Sequence, residues 1–375
     1  MGTLANLAVQ ITGNISGLSS ALGQAQGELN GFAGGVDKMA AQMRSAGTKL
    51  TVGVTAPLLG VAGTALNAAV GFEQSMNVMH QVSGATGAQM DAMKAHALEL
   101  GAQTSFSAGE AAQGMLELAK AGMSAEQSSA AIGGVLNLAA AGGLSVASSA
   151  EIAANALNSF GLEASSMPMV ADLMAAAANS SSIEIGDMAA AFQMSSAVFA
   201  SNSQGIDDLS TAIAILGNNG LKGSDAGTSL KTMLMSLTAP TDAAAADMAR
   251  LGVSVYDAQG NMRAMPNIMA DLEKGLANMT QQQQNAALTT IFGSDAIRAA
   301  NILLKEGSTG WEEMAASLGE QGAAASVADA RMKGLGGAVE YFKGSIESAM
   351  IGAALPWTEM LGKMLRWVLS GRCWG

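Results

Sequence analysis

The sequence predicts a mainly α-helical protein, and three observations support that prediction. Aromatic residues make up only 4% of the chain and prolines number 5, whereas strands are usually rich in aromatic and β-branched residues. Hydrophobic residues reach 49%, with 26 methionines and many alanines and leucines, which are good helix formers. Signals for the start and the end of short helices also recur along most of the chain.

Residues 1–50 predict a short strand followed by a coiled-coil-like helix. Apolar residues alternate from Ala5 to Ile11, which is typical of a strand. After Gly13 the apolar residues follow the 4,3 spacing of a coiled-coil seam, which we expect to join two or more copies of the chain. The alternative is a long amphipathic helix that packs on its own domain. Ala25 and Ala46 occupy two positions of this spacing, and the proposed oligomerisation seam consists of the larger residues Leu18, Leu22, Leu29, Phe32, Val36, Met39, Met43 and Leu50.

Residues 51–71 form an uncharged segment rich in glycine and alanine. The uncharged run from Leu50 to Phe72 is long enough to cross a bilayer. Its glycines, proline, threonines and asparagine leave few strongly apolar side chains, which disfavours insertion. We therefore expect a buried or self-associating helix and do not favour a transmembrane span at 50–72.

Residues 72–307 predict a domain of short helices. A serine or threonine followed three residues later by glutamate or glutamine is the pattern of a capping box, and glycine is common where a helix ends. The predicted boxes are Ser107–Glu110, Ser124–Gln127, Ser148–Glu151 and Thr280–Gln283. The predicted stops are Gly122, Gly142, Gly161, Gly252 and Gly293. A small β-hairpin is expected over residues 253–265, with Pro266 in the first turn of the next helix.

Residues 308–375 predict C-terminal amphipathic helices. Apolar residues from Trp357 to Val368 share one helix face, with Lys363 and Arg366 on the opposite side. This pattern fits an interfacial or partner-binding helix, or else one that packs against residues 341–350. Three of the four tryptophans follow residue 355, and the last five residues resemble nothing earlier, so we expect a truncated product or the amino-terminal piece of a longer gene.

The charge and cysteine content exclude several classes of protein. A formal net charge of -12 argues against direct binding of nucleic acid, which needs clustered lysines and arginines. The single cysteine, Cys373, cannot form an internal disulfide, which fits a reducing compartment. The first ten residues lack the basic and apolar regions of a secretory signal peptide.

The sequence contains no convincing catalytic, cofactor-binding or metal site. His80 and His96 lie far apart in the sequence without a metal-binding motif, so we interpret them as ordinary helix residues. Residues 220–224 have the wrong spacing for a phosphate loop, and Asp207–Asp208 fits the negatively charged start of a helix. The turn at Asp257 lacks the last acidic ligand of a calcium loop. We therefore predict no enzyme activity and no cofactor.

Several blocks, taken in order, resemble the core region of phage tail tape measure proteins. The resemblance begins near Phe72 and covers about two-thirds of the chain, and the ordered set is more specific than any one block. The blocks are residues 82–87, VSGATG; 100–109, LGAQTSFSAG; 117–122, ELAKAG; 157–162, LNSFGL; 170–179, VADLMAAAAN; 216–230, LGNNGLKGSDAGTSL; 251–263, LGVSVYDAQGNMR; and 291–296, IFGSDA.

The resemblance implies a structural protein that lies in the tail tube, sets tail length during assembly and leaves ahead of the DNA at infection. Implied partners are further copies of the chain, tail tube and tail tip proteins, tail assembly chaperones and, during infection, the host membrane. The protein is expected in the virion tail, and in the host cytoplasm during assembly, encoded by a phage or a prophage. The alternative is a membrane-active helical protein, a pore-former or an effector, suggested by residues 50–72 and the tryptophan-rich end.

Overall fold

The computed structural model describes residues 51–319 and 321–369, and the side chains of residues 65–319, 321–334, 336–355 and 358. Residues 1–50 lie outside the described part. The strand expected at Ala5–Ile11 and all eight seam residues, from Leu18 to Leu50, therefore stay predictions.

The described residues form α-helices joined by short turns and one 3-10 helix, Ala164–Ser166, which confirms the mainly α prediction. The helices are α1 (Thr51–Ser83), α2 (Gly87–Gln103), α3 (Ala108–Lys120), α4 (Ala125–Gly142), α5 (Val146–Phe160), α6 (Met167–Ser180), α7 (Ile185–Ser201), α8 (Ile206–Asn218), α9 (Gly223–Thr238), α10 (Asp242–Leu251), α11 (Met265–Leu276), α12 (Gln281–Leu318), α13 (Ala323–Met332) and α14 (Leu335–Leu369).

The chain divides into two compact units. The core unit comprises Met76–His96 and Glu110–Glu340, and therefore holds α3 to α13 almost entirely. The terminal unit comprises, among the described residues, those up to Ser75, Ala97–Gly109 and those from Tyr341 onward. The division of the chain at residues 50, 71 and 307 expected from the sequence stays a prediction.

The interior of the core unit consists of alanine, leucine, isoleucine and methionine, with few aromatic rings. Its largest fully buried side chains include Phe199, Met115, Met167 and Met174. Many alanines are also fully buried, and small side chains let helix backbones approach closely. The clearest case is the contact of α7 with α9, where a Cβ added at Gly227 would lie 2.4 Å from the carbonyl oxygen of Ala191. Phe160 and Phe192 form an edge-to-face aromatic pair with ring centroids 6.2 Å apart.

The helix-start predictions are confirmed at two positions and wrong at a third. Capping boxes are present at Ser124 with Gln127 and at Thr280 with Gln283. The predicted Ser148–Glu151 box is wrong, because α5 begins one turn earlier and Ser145 accepts the hydrogen bond from the backbone N–H of Ser148. Both serines have the capping chemistry, and the burial of Val146 places the start of the helix at the first of them. Helix α3 begins directly after Ser107.

The predicted glycine stops are largely confirmed. Gly161 and Gly252 cap α5 and α10 in the left-handed conformation, and Gly122 follows α3 with a φ of 99°. The cap of α4 is Gly143 rather than Gly142, so that prediction is wrong by one residue. Gly293, with a φ of 68°, ends the helical stretch that begins at Gln281, and a second helical stretch follows it within α12. Pro266 lies in the first turn of α11, as the sequence predicts.

The hairpin expected at residues 253–265 is not confirmed. The described residues contain no strand, and this segment has a single isolated antiparallel bridge between Tyr256 and Met262. The Asp257 carboxylate accepts hydrogen bonds from the backbone N–H groups of Gln259 and Asn261, at 2.9 and 2.8 Å. The backbone N–H groups of Asp257 and Arg263 also donate to the carbonyl oxygens of Asn261 and Val255, both at 2.9 Å, so side-chain and backbone hydrogen bonds together close the turn.

Residues 308–369 contain the end of α12 and the helices α13 and α14, as the expectation of C-terminal helices requires, but the segments 341–350 and 357–368 belong to one helix. Helix α14 runs from Leu335 to Leu369 without a break. Residues 341–350 and 357–368 therefore lie on one helix axis and cannot pack against each other side by side. The packing alternative for the tryptophan-rich segment is wrong for this reason.

Candidate interaction surfaces

An exposed apolar surface lies on the terminal unit. Leu66 and Val70 of α1 and Phe342 and Ile346 of α14 are large apolar side chains, and each is exposed by 37% or more, Phe342 by 58%. A groove on the same unit is lined by Asn67, Ala68, Phe342, Lys343, Ile346, Glu347 and Met350. The sequence contains a pattern that could have predicted this surface. Leu66 and Val70 are four residues apart and so share a helix face, and the same is true of Phe342 and Ile346. Sequence reasoning missed this surface because it treated residues 341–350 as packing partners of the C-terminal segment.

Hydrogen bonds hold α14 in place within the terminal unit. The Tyr341 hydroxyl donates to the carbonyl oxygen of Ala102 at 2.9 Å. The Ser348 hydroxyl accepts from the backbone N–H of Ala108 at 2.9 Å and donates to the carbonyl oxygen of Gly344 at 2.7 Å. Tight packing accompanies these bonds, because a Cβ added at Gly344 would lie 2.9 Å from the carbonyl oxygen of Ser105. The exposed side chains Phe342 and Ile346 are therefore carried by a firmly packed helix.

A second groove lies between α2 and α4 in the core unit. It is lined by Gln89, Ala92, Met93, His96, Ala125, Glu126, Ser129 and Ala130. His96 Nδ1 and Ser129 Oγ are 2.7 Å apart and hydrogen-bonded. The pKa of Glu126 is lowered, first by a hydrogen bond from its own backbone N–H and then by the side chains of Gln89 and Ser124. These bonds tie the start of α4 to α2, so the polar groups of this groove join two helices.

The carboxylate pair Asp207–Asp208 occupies the first turn of α8, as the sequence predicts. Burial raises the pKa of Asp208, and the neighbouring charge of Asp207 raises it further, against the effect of a hydrogen bond from the backbone N–H of Gly205. The adjacent carboxylates thus serve the start of a helix, where negative charge is favoured by the helix dipole.

The other polar residues considered as candidate sites in the sequence lie in turns or on a helix surface. Residues 219–222 connect α8 to α9, which begins at Gly223, and the Lys222 ammonium donates to the carbonyl oxygen of Ser182 in the neighbouring turn. The pKa of Asp257 is lowered, first by the hydrogen bond from the backbone of Asn261. Among the described residues, no group of three or more His, Cys, Asp or Glu side chains could hold a metal ion. His80 is an exposed residue near the end of α1.

Length and apolarity together decide whether a helix could cross a bilayer. None of the described helices is by itself both long enough and apolar enough to do so. Helices α4 and α5 reach that length and apolarity only as a pair, with a bend of 115° between them.

The family of the chain follows from a comparison with known proteins. A family model described as phage-related minor tail protein matches residues 94–293, which is more than half of the chain. The chain belongs to the phage-related minor tail protein family. The matched residues run from α2 to the first break in α12, and thus cover most of the core unit.

Two curated phage proteins are similar to most of the chain. A tape measure protein of Pneumococcus phage Dp-1 is 36% identical over 350 residues, which is 92% of this chain and 30% of that protein. A probable tape measure protein of Escherichia phage P2 is 25% identical over 314 residues, 81% of this chain and 38% of that protein. The chain therefore spans about a third of the length of these relatives. No solved structure matches the chain.

The family-like blocks coincide with helix ends in the core unit. ELAKAG contains the end of α3, LNSFGL contains the left-handed cap at Gly161, and the long block at residues 216–230 contains the turn from α8 to α9. IFGSDA contains the break at Gly293. Most blocks thus fall on residues that direct the chain from one helix to the next, whereas VADLMAAAAN lies inside α6.

Proposed function

We propose that this chain supplies part of a phage tail tape measure protein, which sets tail length during assembly and leaves the tail ahead of the DNA at infection. The observation that carries the proposal is the 36% identity to a tape measure protein over 92% of the chain. The helical fold supports it, because a helix converts residue number into length at a constant rate of about 1.5 Å per residue.

The length of the chain limits its share of that role. Even as one continuous helix, 375 residues would reach only about 560 Å, and the compact core unit shortens this considerably. The relatives are roughly three times longer than the segment they share with this chain. We therefore propose that the whole tape measure protein sets the tail length. This chain contributes the folded helical domain that is expected at residues 72–307.

The proposed mechanism is structural and involves no catalysis. The histidine, carboxylate and lysine candidates of the core unit form hydrogen bonds that start helices or join them. We propose as partners further copies of the chain, tail tube and tail tip proteins, and tail assembly chaperones, with the host membrane met at infection. The net charge of -12 disfavours a direct contact with DNA phosphates. The proposed locations are the virion tail and, during assembly, the host cytoplasm.

The test is a change in tail length in the phage or prophage that encodes the chain. An in-frame duplication of α1, which has 33 residues, should lengthen the tail by about 50 Å if the added residues extend as a helix. Tail lengths are measured by negative-stain electron microscopy on several hundred particles. The control carries the same duplication compensated by deletion of an equal length of helical sequence elsewhere in the gene, and should restore the original length.

Two outcomes would overturn the proposal. One is a normal tail length in particles that carry the duplicated protein. The other is normal tails in a strain that lacks the gene. Liposome flotation tests the membrane-active alternative directly, since firm binding to neutral liposomes without any association with tails would favour a pore-former or an effector.

A further inference from the structure

Helix α14 contains a stripe of apolar residues that repeats every 11 residues. Apolar residues follow one another at intervals of 4, 3 and 4 residues, and this spacing continues through the whole helix without an exception. An 11-residue repeat has about 3.67 residues per turn, close to the value of about 3.6 for an α-helix, so its positions fall on one side of the helix. The α14 stripe consists of Leu335, Val339, Phe342, Ile346, Met350, Ala353, Trp357, Leu361, Met364 and Val368.

The side chains at the start of this stripe on the terminal unit are exposed. Phe342 is exposed by 58% and Ile346 by 43%. Met350 is half-buried, and together these three side chains line the groove beside Asn67 and Ala68 of α1. Among the residues whose side chains the structure describes, none covers this part of the α14 stripe.

The face of α14 opposite the stripe packs inside the terminal unit, largely through small residues. Gly344 and Ser348 are buried there, and Ile351 is fully buried. A Cβ added at Gly344 would lie 2.9 Å from the carbonyl oxygen of Ser105, so the two backbones are in close contact. Close packing and hydrogen bonds on this face hold α14 in its unit. The large apolar residues of the α14 stripe are not needed for that purpose.

The charges on α14 do not oppose a contact between copies of the chain. The whole chain has a formal net charge of -12, and like charges on two copies repel each other. Helix α14 is neutral in contrast, because its three acidic residues are balanced by three basic ones, namely Glu340, Lys343, Glu347, Glu359, Lys363 and Arg366. Two copies of α14 can therefore approach each other without the repulsion that the acidic surface elsewhere would cause.

The period of the α14 stripe decides which apolar surface of the chain matches it. The proposed seam of residues 18–50 has the seven-residue repeat of a coiled coil, with about 3.5 residues per turn. A stripe with that period would turn away from the α14 stripe by roughly 120° between Phe342 and Val368. Repeats of seven residues also favour a left-handed supercoil, whereas repeats of 11 favour a right-handed one. Of these two surfaces, only α14 of a second copy keeps contact with α14 along its length.

We propose that the α14 stripe from Phe342 to Val368 is a docking surface for α14 of a second copy of this chain. Burial of Phe342 and Ile346 against the second helix drives the contact. The contact adds to an assembly held by the seam of residues 18–50, because the seam raises the effective concentration of the α14 helices. The proposal deepens the proposed function, on which it rests for the presence of several copies. It is tested on the purified chain, so tail length plays no part in the outcome.

The test identifies what lies against residue 342 in solution. The photoreactive amino acid p-benzoylphenylalanine replaces Phe342, whose ring it resembles. Copies with natural nitrogen are mixed with copies that carry heavy nitrogen, left to exchange and illuminated, and tryptic peptides are analysed by mass spectrometry. We expect cross-links between light and heavy copies that join residue 342 to residues 344–363, the tryptic peptide of α14 that follows Lys343.

Two matched variants show whether the stripe itself makes the contact. Ile346→Asp places a charge on the stripe and should lower the yield of these cross-links about tenfold or more, with unchanged helical circular dichroism. Val78→Asp is the control, because Val78 is an apolar residue of α1 that is exposed by 44%, as Ile346 is by 43%, and lies outside the stripe. Its cross-link yield should equal that of the parent chain.

Several outcomes would overturn the proposal. Cross-links from residue 342 to residues 18–50 would assign the surface to the seam helix. Cross-links within one chain only, or none between copies, would show that no second α14 lies there. Equal yields in Ile346→Asp and Val78→Asp would show that the stripe does not make the contact. Transfer of the cross-links to lipid when neutral liposomes are added would assign the stripe to a membrane surface.

Discussion

At the scale of single residues, the close approach of α7 and α9 at Gly227 makes the sharpest prediction. A Cβ added there would lie 2.4 Å from the carbonyl oxygen of Ala191 and 2.8 Å from its Cα. These are backbone atoms, so α7 would have to move. We expect Gly227→Ala to lower the free energy of unfolding by about 1–3 kcal/mol, even though alanine improves helix propensity by about 1 kcal/mol. Urea denaturation followed by circular dichroism measures the change.

The matched control is Gly186→Ala in α7. Its added Cβ would meet nothing within 4 Å, and its φ is not positive. We expect unchanged or slightly increased stability, by up to about 1 kcal/mol. Equal effects of the two substitutions would show that close packing at Gly227 does not limit stability.

Asp208 makes a prediction about pH. Its pKa in the folded chain is raised, first by burial and then by Asp207, so the folded chain binds the proton more tightly than the unfolded chain. The resulting destabilisation is absent below the pKa that Asp208 has in the unfolded chain. It develops as pH rises from that value through the pKa in the folded chain. Asp208→Asn removes the charge at all pH values. The free energy of unfolding of the variant minus that of the parent should therefore be larger at pH 7 than at pH 3.

Thermal unfolding of both proteins at several pH values measures this difference. Asp242→Asn, in the first turn of α10 and exposed, is the control for the loss of a negative charge at the start of a helix. A difference between parent and Asp208→Asn that stays constant from pH 3 to pH 7, or that follows the control, would contradict the assigned cause.

At the scale of elements, α13 depends on a cap supplied by another helix. Its own cap residue, Gly322, has no side chain to accept a hydrogen bond. The Asp172 carboxylate of α6 accepts instead from the backbone N–H groups of Gly322 and Ala324, at 2.8 and 3.0 Å. We expect Asp172→Ala to destabilise α13 by about 0.5–2 kcal/mol, the range measured for loss of a capping side chain.

Hydrogen–deuterium exchange is the measurement, because exchange of the amides at residues 322–326 should become faster while that of α8 and α9 stays unchanged. Asp172→Asn keeps one acceptor oxygen and should give an intermediate effect. If exchange over residues 322–326 is the same in all three proteins, Asp172 does not anchor α13.

At the scale of the whole molecule, the coiled-coil seam of residues 18–50 makes a prediction about assembly. Each apolar seam residue contributes about 1.5–3 kcal/mol when fully buried, whereas the glycines at 23, 27, 31 and 35 oppose an isolated helix by roughly 4 kcal/mol in total. The segment must therefore gain stability from packing. We expect Leu29→Asp combined with Phe32→Asp to dissociate the assembly and leave the helices of the core unit intact.

Sedimentation at matched concentration measures the oligomeric state, and circular dichroism measures the helices. Gln24→Asp combined with Asn30→Asp adds the same charge at outer positions of the seam helix and should leave the assembly intact. A parent chain that sediments as a monomer, or a seam variant that keeps its oligomeric state, would assign the seam to packing within one chain.

The sequence by itself determined the helical class, most helix ends and the family-like character of the core. These features are encoded locally. A capping box such as Ser124 with Gln127, or a left-handed glycine such as Gly161, acts within a few residues of its own position. The order of the family-like blocks can likewise be recognised from the sequence without knowledge of contacts between distant residues.

Tertiary structure alone decided how these helices are joined. Asp172 accepts a hydrogen bond at the start of α13 from Gly322, 150 residues later, and Gly227 takes its role from Ala191 of a neighbouring helix. Local sequence permits a helix cap at either Ser145 or Ser148. Burial against distant residues selects one arrangement in each case, because its free energy depends on contacts that no local pattern contains.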